Sequence, residues 1–198
     1  MSWLLSAGAT IAVAGVAMIN AGLFNPKIEK ASLSYLSGIQ LKALDGSNKL
    51  LSAADLWRKN GAEASVLSSL KAELDQRGIP LIGVVHETIG VEEFKPFFKG
   101  DIYLDDQRKF YGPFERWENV VVGFLRVQTW INLYHAQSGG FHGNMDGEGR
   151  LMGGLFVVGA ADQGVLFEYR EKVWGDHADI EDVRAAVENI KISHNVSD

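Results

Sequence analysis

The stretch IPLIGVVH, from Ile79 to His86, decides the fold of this 198-residue chain. It is a near-continuous apolar run of strand length, which is typical of a strand buried on both faces, as in a parallel sheet. The segment before it, Ala62 to Arg77, predicts a helix because its apolar residues recur at helical spacing, and Gly78 followed by Pro80 ends that helix. A helix leading into a doubly buried strand indicates the α/β class.

Outward from this unit, helices and strands continue to alternate. The other predicted strands are Ile39–Leu44, Ile102–Leu104 and a hairpin of Leu155–Gly159 with Val165–Tyr169. The other predicted helices are Ala53–Lys59 with Ser52 as its cap, Val91–Lys99, Glu118–Gln137, and a last helix over Ile180–Ile190 capped by Asp179. Because parallel strands need helical crossovers, and a hairpin and a helix close the chain, this order predicts a thioredoxin-like sandwich.

One part of this layout lacks a strand. Two predicted helices, Ala53–Lys59 and Ala62–Arg77, abut where a thioredoxin-like sheet needs a central strand. Nothing at the start of the second helix resembles a cap, since Gly61-Ala62-Glu63 offers no Ser, Thr, Asp or Asn. The sequence therefore predicts that one central strand is missing, and that a domain of residues 25–198 is interrupted at positions 62–63.

The first 24 residues form a separate apolar segment with no Asp, Glu, Lys or Arg. As a helix, the run from Trp3 to Phe24 would measure about 33 Å, enough to cross a hydrocarbon core of about 30 Å. Three interpretations stay open: a membrane anchor, a cleaved signal peptide and a buried helix. Lys27 and Lys30 follow the run, which favours a cytoplasmic globular part if the segment is an anchor, with secretion as the alternative.

Charge and cysteine content narrow the function. The formal net charge is −6, which argues against a nucleic-acid partner because such proteins usually present a basic patch. The chain has no cysteine, so it has no disulfide, thiolate metal site or cysteine nucleophile of its own.

Two polar candidates are weak. His142, Asp146 and Glu148 lie close together in a glycine-rich loop, but their spacing matches no metal or acid–base motif. His86, at the end of the buried strand, is better explained as a hydrogen-bonded or surface histidine than as a catalytic one. The sequence assigns no catalytic, cofactor-binding or metal-ligating residue.

Two other patterns have ordinary explanations. An aromatic stripe within the predicted helix 118–137 and just before it indicates packing against the domain, with a membrane-surface role as the weaker alternative. Its members are Trp117, Phe124, Trp130 and Tyr134. The tripeptide Asn195-Val196-Ser197 is a glycosylation sequon, which matters only in a secreted chain.

Four long strings, in order along the chain, resemble the peroxiredoxin-like 2 family. They are LWRKNGA (56–62), LSSLKAELDQRGIPLIGVVHE (67–87), FFKGDIYLDDQRKFYGP (97–113) and GGFHGNMDGEGRLMGGLFVVG (139–159). The resemblance implies a thioredoxin-like fold and an antioxidant, redox-regulatory role that depends on a Cys-x-x-Cys motif.

In that family, an apolar strand and the Cys-x-x-Cys turn lie between the Asn-Gly-Ala and the Leu-Ser-Ser-Leu helix. Here Ala62 is followed directly by Glu63, and no position corresponds to either cysteine. Ser65, Ser68 and Ser69 are not substitutes, because a hydroxyl cannot perform the two-electron cycle of a thiolate. Two hypotheses follow: a redox-inactive relative of an antioxidant protein, or a non-enzymatic, membrane-tethered interaction or regulatory module.

Overall fold

The computed structural model describes residues 13–57, 62–64, 69–138, 147–160 and 162–191. Its strands are β1 (Gln40–Ala43), β2 (Leu50–Ser52), β3 (Ala62–Ala64), β4 (Leu81–Val85), β5 (Asp101–Leu104), β6 (Gly154–Val158) and β7 (Val165–Arg170). Its helices are α1 (residues 13–20), α2 (Leu33–Ser37), α3 (Ala54–Trp57), α4 (Lys71–Gln76), α5 (Val91–Phe94), α6 (Val120–Leu125), α7 (Val127–Ser138) and α8 (Ile180–Glu188), with a 3-10 turn at Lys109–Tyr111.

The strands form one mixed sheet in the order β2-β1-β5-β4-β3-β6-β7. β4 lies at its centre and runs parallel to both β3 and β5, whereas the other neighbouring pairs are antiparallel. This architecture confirms the predicted α/β class and is consistent with a thioredoxin-like fold. It also confirms β4 as the doubly buried strand, since Leu81 and Ile82 are 2% and 3% exposed.

Each face of the sheet carries its own apolar core. One cluster includes Leu74 of α4, Val157 of β6 and Val183 of α8, none of which is exposed to solvent. The other includes Leu36 of α2 and Leu41 of β1, which are equally buried, together with Trp57 of α3. The sheet is therefore sandwiched between helices, and its carboxyl-terminal strand ends face solvent and loops.

The predicted absence of a central strand is wrong, because β3 occupies that place. Ala62–Ala64 pairs with β4 in parallel and with β6 in the antiparallel sense. The apolar spacing of residues 62–77 predicts a helix that begins at Ala62, and Ala and Glu carry little strand preference that would indicate otherwise. Pairing overrides that preference, since without β3 the facing backbone groups of β4 and β6 would be left unpaired.

Several other boundaries differ from the predictions. The helix predicted over 62–77 is reduced to Lys71–Gln76 among the described residues, and it ends before Gly78, whose φ of 67° is left-handed. Strand β2, Leu50–Ser52, was not foreseen, because Ser52 was interpreted as a helix cap. Helix α5 stops at Phe94, before Pro96, rather than continuing to Lys99.

The helix predicted over 118–137 is broken into α6 and α7. At the junction, Arg126 leaves helical geometry with φ −83° and ψ 121°. Its side chain is directed inward to a buried ion pair with Glu118, at 3.0 Å between Nε and Oε2. The helix therefore breaks at the residue whose side chain forms this buried ion pair.

The helix within the apolar amino-terminal run also ends before the run itself does. α1 stops at residue 20, and Gly22, with φ 79°, closes it by donating to Ile19 O while Leu23 N–H donates to Met18 O, a Schellman motif. Trp3 to residue 12 lie outside the described residues. Among the residues that are described, no helix is long and apolar enough to cross a membrane.

Candidate functional site

The resemblance to the peroxiredoxin-like 2 family implies that a Cys-x-x-Cys motif would lie just after β3. β3 reaches only Leu81 and Ile82 of β4 and, on its other side, Phe156 of β6. β4 continues for three more residues, Gly83–Val85, which pair with β5. Residues 65–68, which follow β3, lie outside the described structure, so the described part of β3 pairs with the first two residues of β4.

An open cavity of about 440 Å³ lies on this side of the sheet. Ser69, just before α4, and the first residues of β6 contribute to its wall, and the rest comes from β7 and the loop that leads to α8. The lining residues are Ser69, Gly154, Leu155, Tyr169, Glu171, Asp176, His177, Ala178, Asp179 and Ile180. Acidic and aromatic side chains therefore lie together in the wall of this cavity.

Hydrogen bonds fix the polar groups of this cavity. Tyr169 donates its hydroxyl to Oδ2 of Asp176 at 2.6 Å, and the Lys172 amide donates to the same oxygen at 2.9 Å. Burial, reinforced by the Asp176 charge, raises the pKa of the Tyr169 phenol. The Gly153 amide donates to Oε2 of Glu171 at 2.9 Å, and burial nevertheless raises the pKa of the Glu171 carboxyl.

The chemistry open to this cavity is that of carboxyl groups, one phenol, the His177 imidazole and the Ser69 hydroxyl. A carboxyl whose pKa is raised retains its proton to higher pH and can donate or accept a hydrogen bond. Asp176 keeps both oxygens engaged with Tyr169 and backbone amides. The set suits binding of a polar group, and it includes no thiolate, because the chain has no cysteine.

His86 follows the last residue of β4, and its hydrogen-bonding groups are partly satisfied. Its Nδ1 is 3.1 Å from the Tyr111 hydroxyl, and its Nε2 is 3.6 Å from Oε1 of Glu87. Burial lowers the pKa of the His86 imidazole. The same Glu87 oxygen accepts the Glu148 amide at 2.8 Å, so His86 joins a network that anchors the end of the glycine-rich loop.

Of the three polar residues predicted as a weak cluster in that loop, Glu148 is the one that the structure describes. His142 and Asp146 lie outside the described residues, as does the sequon at 195–197. Glu148 is engaged by both Nε and Nη2 of Arg150, each at 3.0 Å, and this pairing lowers the pKa of Glu148 to about 2. Among the residues that the structure places, no group of three or more His, Asp or Glu could hold a metal ion.

The aromatic stripe packs against the domain only in part. The Phe124 ring lies 5.7 Å from the Trp174 ring, and the guanidinium groups of Arg108 and Arg150 lie over the Trp117 ring. Phe124, Trp130 and Tyr134 are nevertheless 53%, 52% and 69% exposed. On α7, the polar Thr129 faces inward at 8% exposure, and Asn132 donates its amide to Trp174 O at 3.0 Å. The predicted packing is incomplete because periodicity shows that a helix has an apolar face without showing what that face covers.

Glu171, Tyr169 and Asp176 were missed by sequence reasoning, which had interpreted this region only as a hairpin strand and its exit. Their one signal is a dense run of polar residues at the end of the hairpin strand and just beyond it, EYREK at 168–172. Such runs are common at strand ends, so the signal alone does not single out a site.

The structure is a mixed α/β sheet with helices on both faces, consistent with a thioredoxin-like fold. Comparison with known proteins fits that picture. A family model described as AhpC/TSA antioxidant enzyme matches residues 66–173, just after the junction at 62–63. The chain belongs to this family.

Among its relatives, the chain is similar to proteins named Peroxiredoxin-like 2A. The one from Xenopus tropicalis is 45% identical, covering 95% of this chain and 90% of that protein. The human one is 44% identical over 96% and 90%, and the one from Bos taurus 43% identical over 99% and 98%. No solved structure matches the chain.

These alignments also show that the relatives carry residues with no counterpart here. They extend over 206, 207 and 215 positions with the frog, human and bovine proteins, whereas the whole chain has 198 residues.

Proposed function

We propose that this chain is a peroxiredoxin-like protein without thiol chemistry of its own, and that it acts by binding. The observation that carries the proposal is the absence of cysteine from all 198 residues. Peroxide and disulfide reduction in such proteins proceeds through a thiolate that becomes a sulfenic acid or a mixed disulfide. Neither intermediate is available to this chain.

Two further observations support the proposal. The alignments with the relatives extend over more positions than this chain has residues. The cavity beside β3 retains hydrogen-bonding groups, among them Glu171 and Tyr169, so a binding surface persists where the redox chemistry is lost. An antioxidant or redox-regulatory effect of this chain would then depend on a partner protein.

The test is turnover by the purified chain with hydrogen peroxide or a low-molecular-weight disulfide, using dithiothreitol or a thioredoxin system as reductant. The human relative, 44% identical, run in parallel, provides the comparison protein. The proposal predicts a rate equal to that of the reductant alone. A rate that rises in proportion to this chain's concentration, and that requires the thiol reductant, would overturn it.

A second candidate is membrane tethering of a cytoplasmic domain through Trp3–Phe24. It is favoured by the way the described end of that run is attached to the domain. Asn20 bonds to both sides of the α6–α7 junction, and Asn25 accepts a hydrogen bond from Nη1 of the buried Arg126 at 2.6 Å. A tether fixed in this way would hold the domain close to the membrane.

Cell fractionation tests the tether. If the candidate is right, the chain remains with membranes after a carbonate wash. Full release by the wash, or recovery of an uncleaved chain in the soluble fraction, contradicts it. A secreted, shortened product would instead favour the signal-peptide alternative.

A further inference from the structure

The orientation of α7 is the least expected feature of the molecule. Four apolar side chains at positions i, i+3, i+4 and i+7 form one helical face: Val127, Trp130, Ile131 and Tyr134. Their exposures are 59%, 52%, 41% and 69%. A helix on a soluble domain normally directs such a face to the core. Here that face is directed to the outside.

α6 extends the same exposed surface. Val121 and Phe124 are 66% and 53% exposed, and the Phe124 and Trp130 rings lie 5.9 Å apart. We call these six side chains of α6 and α7 the outer apolar face. If each exposes on the order of 80 Å², the outer apolar face is close to 500 Å², at the upper end of the largest patch on a typical monomer.

The outer apolar face carries no uncompensated charge. From Val120 to Gln137, Arg126 is the single Asp, Glu, Lys or Arg. It is 3% exposed and ion-paired with Glu118, so its charge is neutralised beneath the surface. Such a surface complements hydrocarbon and offers nothing to a charged partner.

Side chains also supply hydrogen bonds to the backbone groups at the break between α6 and α7. Asn20 donates its side-chain amide to Leu125 O at 3.0 Å and accepts the Val127 amide at 2.8 Å. The Trp130 indole donates to Phe124 O at 2.9 Å. Internal satisfaction of backbone groups is the condition for placing a surface in lipid, where an unpaired group costs several kcal/mol.

The described part of the uncharged amino-terminal run lies beside the same junction. Residues 13–24 contain no charged side chain, and Asn20 bonds to the α6–α7 junction. The described end of this run is therefore adjacent to the outer apolar face.

We infer that the outer apolar face docks on a lipid bilayer surface, with Trp130 and Tyr134 at the depth of the headgroup boundary. Aromatic side chains of this kind, an apolar body with a polar tip, favour that boundary. The inference rests on the proposed tether, because the tether brings this face to the membrane. It extends the tether by assigning a second contact surface and hence a fixed orientation of the domain.

The absence of cysteine makes a direct test simple, because one introduced thiol can be labelled uniquely. Ile131→Cys, on the outer apolar face, is labelled with an environment-sensitive NBD dye. Leu50→Cys is the matched control, since Leu50 is 68% exposed and lies on strand β2. The full-length chain is mixed with neutral phosphatidylcholine vesicles, and binding is measured separately by flotation.

The inference predicts that the dye at position 131 brightens and shifts to the blue with vesicles, while the dye at position 50 does not. It also predicts that Trp130→Ser with Tyr134→Ser lowers the vesicle partition coefficient by about tenfold or more, because two large apolar side chains no longer transfer into lipid. Phe114→Ser, at a site 66% exposed and off this face, leaves partition unchanged.

Each alternative outcome is distinct. If vesicles bind the chain but the dye at position 131 does not respond, the tether stands and the outer apolar face is not a lipid contact. If no vesicle binding occurs, both the tether and this inference are wrong. If the dye at position 131 is already shielded without lipid and the chain elutes as an oligomer, a second copy covers the face, which also overturns the inference.

Discussion

The buried ion pair between Arg126 and Glu118 gives a quantitative test of how the α6–α7 region is held. The two side chains are 3% and 2% exposed, and Nε lies 3.0 Å from Oε2. Burial raises the pKa of the Glu118 carboxyl, and the Arg126 charge opposes that rise. Glu118→Gln removes the countercharge while preserving size, so it leaves a guanidinium uncompensated in the interior.

The expected loss follows from two opposing terms. Breaking a buried pair by removing one partner costs about 3–5 kcal/mol. Arg126 keeps its hydrogen bond to Asn25, so the low end, about 3 kcal/mol, applies. With a urea m-value of about 2 kcal/mol/M, the unfolding midpoint moves by about 1.5 M. Against a total stability of about 5–15 kcal/mol, this is a large fraction.

Urea unfolding followed by tryptophan fluorescence provides the assay. Glu92→Gln is the matched control, because its partner Lys95 is at the surface and the Glu92 side chain is 79% exposed. Its midpoint is expected to stay near that of the parent chain. The double variant Glu118→Leu with Arg126→Met recovers most of the stability, since no charge remains buried. A Glu118→Gln midpoint equal to the parent's would refute this explanation of the helix break.

Three more predictions concern the fold. Gly100→Ala is expected to lower the free energy of unfolding in urea by more than about 2 kcal/mol, because the new Cβ would lie 2.1 Å from a backbone oxygen. Gly149→Ala, whose Cβ would have nothing within 4 Å, is tolerated. Equal urea midpoints for the two variants would contradict this. Burial raises the pKa of the Asp105 and Glu171 carboxyl groups, so the folded chain binds more protons than the unfolded chain, and the contribution of these groups to stability falls as pH rises above about 4. Glu171→Gln should make the unfolding free energy depend less steeply on pH, and an unchanged slope of unfolding free energy against pH would count against this explanation. Hydrogen exchange across Leu56–Leu70 is expected to be fast, because β3 makes so short a ladder, and strong protection there would be inconsistent with it.

The parts of the fold that could be predicted are those that local pattern determines. β4 is recognisable from IPLIGVVH alone, and the β6–β7 hairpin from two apolar runs around a turn. α8 begins at Ile180 because Asp179 caps it, accepting the Glu181 amide at 2.8 Å. In these elements, local preference and tertiary packing agree.

The parts that could not be predicted are fixed by distant partners. Ala62–Ala64 becomes a strand because β4 and β6 flank it, which no local preference of Ala or Glu reveals. Arg126 interrupts a helix because Glu118 is buried beside it. For the candidate site, the loss of the cysteines was evident from composition, whereas the cavity around Glu171 depends on how β7 and the following loop meet β6.

One measurement tests whether this family member performs thiol redox chemistry. It counts the peroxide molecules consumed per chain under excess dithiothreitol, after subtraction of the reductant's own reaction. Methionine is the oxidisable sulfur that remains, and the chain has four methionines. Peroxide consumption is therefore expected to stop at or below four equivalents per chain. Continued consumption, far beyond four equivalents and proportional to chain concentration, would contradict it.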